Sequence, residues 1–145
     1  MRFDFLLDEY RIFLEIDGDQ HFRQVRNWKP PEVVQARDIT KMEGAIKNVY
    51  SVIRMYQRDV YNNAIQWREI LLDIIANAHK FRLTPKLIMV DNVCYKCYDV
   101  PSLLPDIVRY SEFKTRKFED TPVKIELDPR LVNITDEMFN ELLKL

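Results

Sequence analysis

Two rhythms of apolar residues run along the chain. Near the N-terminus they follow the short blocks and alternation of strands, so Arg2 to Leu7 (RFDFLL) predicts a short strand and Tyr10 to Asp17 (YRIFLEID) a second, with Asp8 and Glu9 as the turn of an antiparallel hairpin. Gly18, with conformational freedom that other residues lack, is expected to end the second strand and throw Asp19 to Phe22 into a loop running on to Pro30 and Pro31. The spacing then changes. Val33, Val34, Ala36, Ile39, Met42, Ala45 and Ile46 recur at helical intervals and predict a helix over Glu32 to Lys47. Ser51 to Tyr56 (SVIRMY) reads as a strand, and strand, crossover helix, strand implies a parallel connection. Asp59 to His79 reads as one long amphipathic helix.

The second half is less regular. Lys86 to Val90 and Val93 to Val100 suggest a hairpin about Asp91-Asn92. Lys124 to Leu127 suggests a further strand, and Thr135 to Leu145 a helix with Met138, Leu142 and Leu143 on one side. The expected architecture is α/β (α+β): one domain over 1–145. Residues 1–80 would form a core of mixed β-sheet with a crossover helix, and 81–145 a C-terminal β-hairpin and helix extension packed on it.

Composition narrows the picture. A chain of 145 residues with 47% hydrophobic content can bury one ordinary core, and no stretch has the bias of a linker or a disordered tail. No apolar run reaches the roughly 18–20 residues that span a bilayer, and MRFDFLLDEY has acids where a signal peptide needs basic then apolar residues. An intracellular protein, cytoplasmic or nuclear and with no membrane partner, is the expectation. Net charge is only −1, so any affinity for nucleic acid must be local. Charge is polarised: Arg23, Arg26, Lys29, Arg37, Lys41, Lys47, Arg54 and Arg58 outnumber the acids between Gln20 and Val60, and the chain from Glu112 onward is acid-rich.

Candidate chemistry lies in Leu14 to Phe22, LEIDGDQHF. Side chains two apart share a strand face, so Phe13, Glu15 and Asp17 point one way, and Asp4 on the paired strand falls across from them if the hairpin closes at Asp8-Glu9. Three clustered carboxylates repel one another unless a cation compensates or one acid takes a proton. Hard oxygen donors favour Mg²⁺ or Mn²⁺ over zinc.

RFDFLLDEYRIFLEIDGDQHF, a basic loop, QARD…K on a helix and SVIRMYQRDVY together resemble the catalytic core of the PD-(D/E)XK restriction-endonuclease-like nucleases. The similarity is greatest to the branch related to the very-short-patch-repair endonucleases, and it covers about Met1 to Trp67. The resemblance implies a restriction-endonuclease-like fold and a metal-dependent endonuclease acting on DNA, with RNA as an alternative substrate. Asp4 matches the family's metal-binding Asp and Glu15 the acid of its third strand. Asp17 stands where many members have Lys, and Gln20 and His21 match the QH that follows the strand. The family usually carries a helix before the first strand, often with a Glu that completes the site. Its place here would fall to a homodimer partner, to a partner protein or to the C-terminal helix with Glu137 and Glu141. The alternative is a catalytically silent nuclease-fold module that binds nucleic acid or serves a larger complex.

The implied mechanism has Asp4, Glu15 and Asp17 as ligands of Mg²⁺ or Mn²⁺, with Asp17 or His21 orienting or deprotonating water. Gln20 would belong to the same site, and with the family's Lys position acidic, Lys41 or Arg37 would stabilise charge. Arg23, Arg26, Trp28, Lys29 and Arg37 would contact nucleic acid, though Trp28 also fits a loop anchor and His21 a structural role. Cys94-x-x-Cys97 with His79 falls short of the four ligands zinc normally takes, and an alternating strand does not suit a thioredoxin-type motif, so two core cysteines are expected in a reducing compartment.

Overall fold

A computed structural model describes residues 2–90 and 93–111. The expected Asp91-Asn92 turn, the Lys124 to Leu127 strand, the Thr135 to Leu145 helix with Glu137 and Glu141, and the acid-rich segment from Glu112 lie outside the described residues.

The fold is mixed α/β, built on a five-stranded mixed sheet with three α-helices among the described residues. Strands β1 (Phe5–Leu7), β2 (Ile12–Asp17), β3 (Ser51–Tyr56), β4 (Leu87–Met89) and β5 (Ile107–Arg109) lie side by side in chain order. β1 and β2 form the expected antiparallel hairpin, with Phe5 opposite Leu14 and Leu7 opposite Ile12, joined by a 3-10 turn at Asp8–Tyr10. The remaining pairings are parallel.

Helix α1 (Pro31–Lys47) crosses one face between β2 and β3; α2 (Gln57–Tyr61) and α3 (Trp67–Ala76) precede β4. Strand alternation divides the core. Ile12, Leu14, Ile53, Met55, Ile88 and Val108 pack with Trp67, Leu71 and Ile74 of α3. Val52, Leu87 and Met89 pack on the other face with Met42 and Ala45 of α1 and with Tyr95, Tyr98 and the two half-buried cysteines. β3 is therefore covered on both faces, the usual state of a central parallel strand.

Three local expectations are corrected. The single helix from Asp59 to His79 is two, because the Asn63 N–H bonds the Val60 carbonyl and the Ala64 N–H bonds the Asp59 carbonyl. With Asn63 at φ 49°, this is the pair of reverse bonds that closes a helix when an asparagine takes the left-handed conformation. The hairpin after Lys86 is also absent: β4 is parallel to β3, and Val93–Tyr98 winds into 3-10 turns that lay Tyr95 and Tyr98 against the sheet. Its parallel neighbour is β5, only three residues long and thus too short to leave a periodic signal. Finally, Gly18 has φ −77°, open to any residue; a Cβ there would instead collide with the Gln20 side-chain amide, which folds over it.

Candidate metal cleft and its buried support

Asp4 immediately precedes β1, one residue before the Phe5–Leu14 pair, and so lies at the end of the hairpin where β2 carries Glu15. Asp4 caps the ladder with its side chain, Oδ2 accepting the Ile16 N–H at 2.9 Å. Both acids border an open cleft of about 410 Å³, together with Arg2, Gln20, His21, Trp28, Lys29, Val34, Arg37, Asp38 and Lys41. Lys41, reaching down from α1, donates to Glu15 Oε1, and its ammonium lies 4.5 Å from the centroid of Phe3, itself stacked on Phe13. Burial raises the Glu15 carboxyl; the Lys41 bond opposes the rise and the Asp4 charge adds to it, leaving Glu15 at about 7 rather than 4.5.

Asp17 belongs to a different environment. Both of its oxygens are taken: Arg54 donates through Nη2 at 2.7 Å to Oδ1 and through Nε at 2.9 Å to Oδ2, and the Tyr95 hydroxyl reaches Oδ2 at 2.8 Å. Register explains the reach, since β3 puts Arg54 beside Glu15 and within diagonal range of Asp17. Arg54 also lies 3.2 Å from Asp38, which accepts the Tyr98 hydroxyl at 2.5 Å and lies 2.6 Å from His21 Nδ1. His21 Nδ1 stands 3.7 Å from Asp17. Asp17 and Arg54 are fully buried and Asp38 nearly so.

Opposite effects act on the His21 and Asp38 pair. Burial alone would lower His21, but its bond to Asp38 and the charges of Asp17 and Asp38 outweigh this and raise it. Burial alone would raise Asp38, but the His21 bond, Arg54 and Tyr98 bring it down to about 2. Two carboxylates thus face one guanidinium and one imidazole whose protonated form they favour. With Nδ1 engaged by Asp38, Nε2 is the ring nitrogen His21 offers to the cleft.

Two places could be considered for a cation. Ligand atoms of Asp17, His21 and Asp38 lie within 4.8 Å of one another. A dication does not fit there, because the buried Arg54 already occupies Asp17 with two bonds and would face the ion unshielded. Asp4 and Glu15 fit better: two oxygen donors on an open cleft suit a metal that keeps several waters and takes its remaining ligands from a phosphate.

The other expected site residues separate similarly. Gln20, His21, Trp28, Lys29, Arg37 and Lys41 border the cleft with Asp4 and Glu15. Asp17, expected as a third ligand beside Asp4 and Glu15, does not border it and is bound to Arg54. Arg23 turns to Asp19, as does Arg58, and neither Arg23 nor Arg26 borders the cleft. Arg54, counted by sequence among the basic residues between Gln20 and Val60, is internal.

Sequence reasoning missed Asp38, Arg54, Tyr95 and Tyr98 as site residues. Two signals were available. Val34, Asp38 and Met42 share one helix stripe, and Arg54 interrupts the apolar run from Val52 to Met55; an ionised group at either place needs a buried partner. Comparison with protein-family models, curated proteins and solved structures returned no match.

Proposed function

We propose that the chain is a metal-dependent endonuclease with a restriction-endonuclease-like core, hydrolysing phosphodiester bonds of DNA at the Asp4–Glu15 cleft. The observation that carries this reading is the presence of two carboxylates, a lysine and a histidine of raised pKa on one cleft edged by Lys29 and Arg37. Asp4 and Glu15 would hold Mg²⁺ or Mn²⁺, which when bound supplies positive charge to the scissile phosphate and a water more acidic than bulk water. Lys41, already beside Glu15, supplies the cation that the acidic residue at position 17 cannot. His21 exchanges a proton at Nε2, while Asp38 holds its Nδ1 and fixes the ring. Lys29 and Arg37 neutralise neighbouring phosphates, and Trp28, 60% exposed, offers a stacking face.

The Lys41–Glu15 pair also favours a second reading, because it compensates Glu15 with no metal present. A silent DNA-binding module would use the cleft in that state. Nicking of supercoiled plasmid with Mg²⁺ or Mn²⁺ separates the two. The nuclease reading expects nicking that disappears in Asp4→Ala and Glu15→Ala while circular dichroism stays unchanged; wild-type protein that binds DNA but leaves every substrate intact would support the silent module.

A further inference from the structure

We propose that a second groove, beside the cleft, receives one unstacked nucleobase, so that the substrate carries an unpaired base next to the bond that is cut. The inference rests on the nucleic-acid reading above and adds the substrate's form to it. This groove, about 470 Å³, lies between the Asp19–His21 turn, the following loop and α2, and shares Gln20 and Trp28 with the cleft.

Its lining differs from that of the cleft in a way that selects a base over a phosphate. Arg58 and Asp19 are paired at 2.7 Å, so its charged members cancel, whereas the cleft presents Lys29 and Arg37. Two aromatic rings border it, Trp28 at 60% and Tyr61 at 58% exposure. Flat rings left in water gain by covering a base, whichever base it is. The side-chain amides of Gln20, Gln57 and Asn62 also border the groove and make no hydrogen bond among the described residues. Each amide pairs a donor with an acceptor, the pattern that matches a base edge. The chain reversal at Asn63 ends α2 there, holding Tyr61 and Asn62 at the rim. A base inside a duplex has both faces stacked and one edge paired, so only an unpaired or extruded one can use this groove.

The test is metal-free, so that it does not depend on cleavage. Anisotropy in EDTA compares a labelled DNA duplex with one bulged thymidine, the same duplex with an abasic sugar in the bulge, and the fully paired duplex. Wild-type protein is expected to bind the bulged base about tenfold tighter than the abasic bulge, with quenching of Trp28 emission. Tyr61→Ala should bring that ratio near one and Tyr61→Phe should restore it, which sets a lost stacking face apart from a damaged fold. Equal affinity for base and abasic bulges, or a ratio that survives Tyr61→Ala combined with Trp28→Ala, overturns the inference. Base preference without any Mn²⁺-dependent nicking would remove the nuclease reading and leave the groove; nicking indifferent to the unpaired base would do the reverse.

Discussion

Glu15 and Asp17 stand on the same face of β2, two residues apart, in opposite electrostatic settings. Glu15 borders a cleft, feels the charge of Asp4, is bonded to Lys41 and titrates at about 7. Asp17 is sealed from water and bound by a guanidinium at two points and a tyrosine at a third. Residue type does not separate them; what β3 and the 3-10 turns place opposite does. Glu15 is left with one hydrogen-bonded cation beside a cleft, whereas both oxygens of Asp17 are engaged away from water.

That contrast breaks most severely at Arg54. Arg54→Met strands two buried carboxylates, and urea unfolding should show a loss of about 3–5 kcal/mol. Glu15→Gln should instead leave stability within about 1 kcal/mol of wild type while lowering metal-dependent nicking on the order of a hundredfold or more. If both variants simply unfold, cleft and support are one unit and the contrast is wrong. Lys41→Met sharpens it: nicking should fall roughly ten- to a hundredfold, and loss of the Lys41 bond should move the Glu15 titration, followed by carboxyl NMR, above about 7.

Proton linkage gives smaller effects, with Glu15 and His21 of one sign and Asp38 of the other. Metal must displace the Glu15 proton, so Mn²⁺ affinity should fall about tenfold per pH unit below about 7. In the folded state Glu15 holds its proton above its ordinary pKa of 4.5, so its contribution to stability is present in acid and is lost as pH rises towards 7. Asp38, brought down to about 2, contributes in the other direction: its share is present above 3.8 and is lost as pH falls towards 2. His21, raised above 6.5, contributes below 6.5 and loses its share as pH rises through the folded value. Urea midpoints across pH for wild type, Glu15→Gln and Asp38→Asn separate the three.

The hairpin, α1 and β3 were legible because each is a complete period of its kind: Ser51–Tyr56 agrees with its sequence reading to the residue. What failed depended on partners distant in sequence. Val93–Tyr98 alternates like a strand, yet its tyrosines are drawn inward by Asp17 and Asp38, 78 and 60 residues away, and the segment coils to deliver them. The same holds in the site. Asp4, Glu15 and Lys41 could be named from strand parity and helix position, but strand parity also grouped Asp17 with Glu15, and only the register of β3 brings Arg54 within reach of Asp17. The break after Tyr61 was written in Asn62-Asn63, a cap signal that the apolar periodicity on both sides concealed.

The most direct measurement is anomalous diffraction from a crystal soaked in Mn²⁺. The account predicts a peak between Asp4 and Glu15, with Lys41 displaced and the Asp17–Arg54 pair intact. A peak among Asp17, His21 and Asp38, or none in the cleft at a concentration that supports nicking, would contradict it.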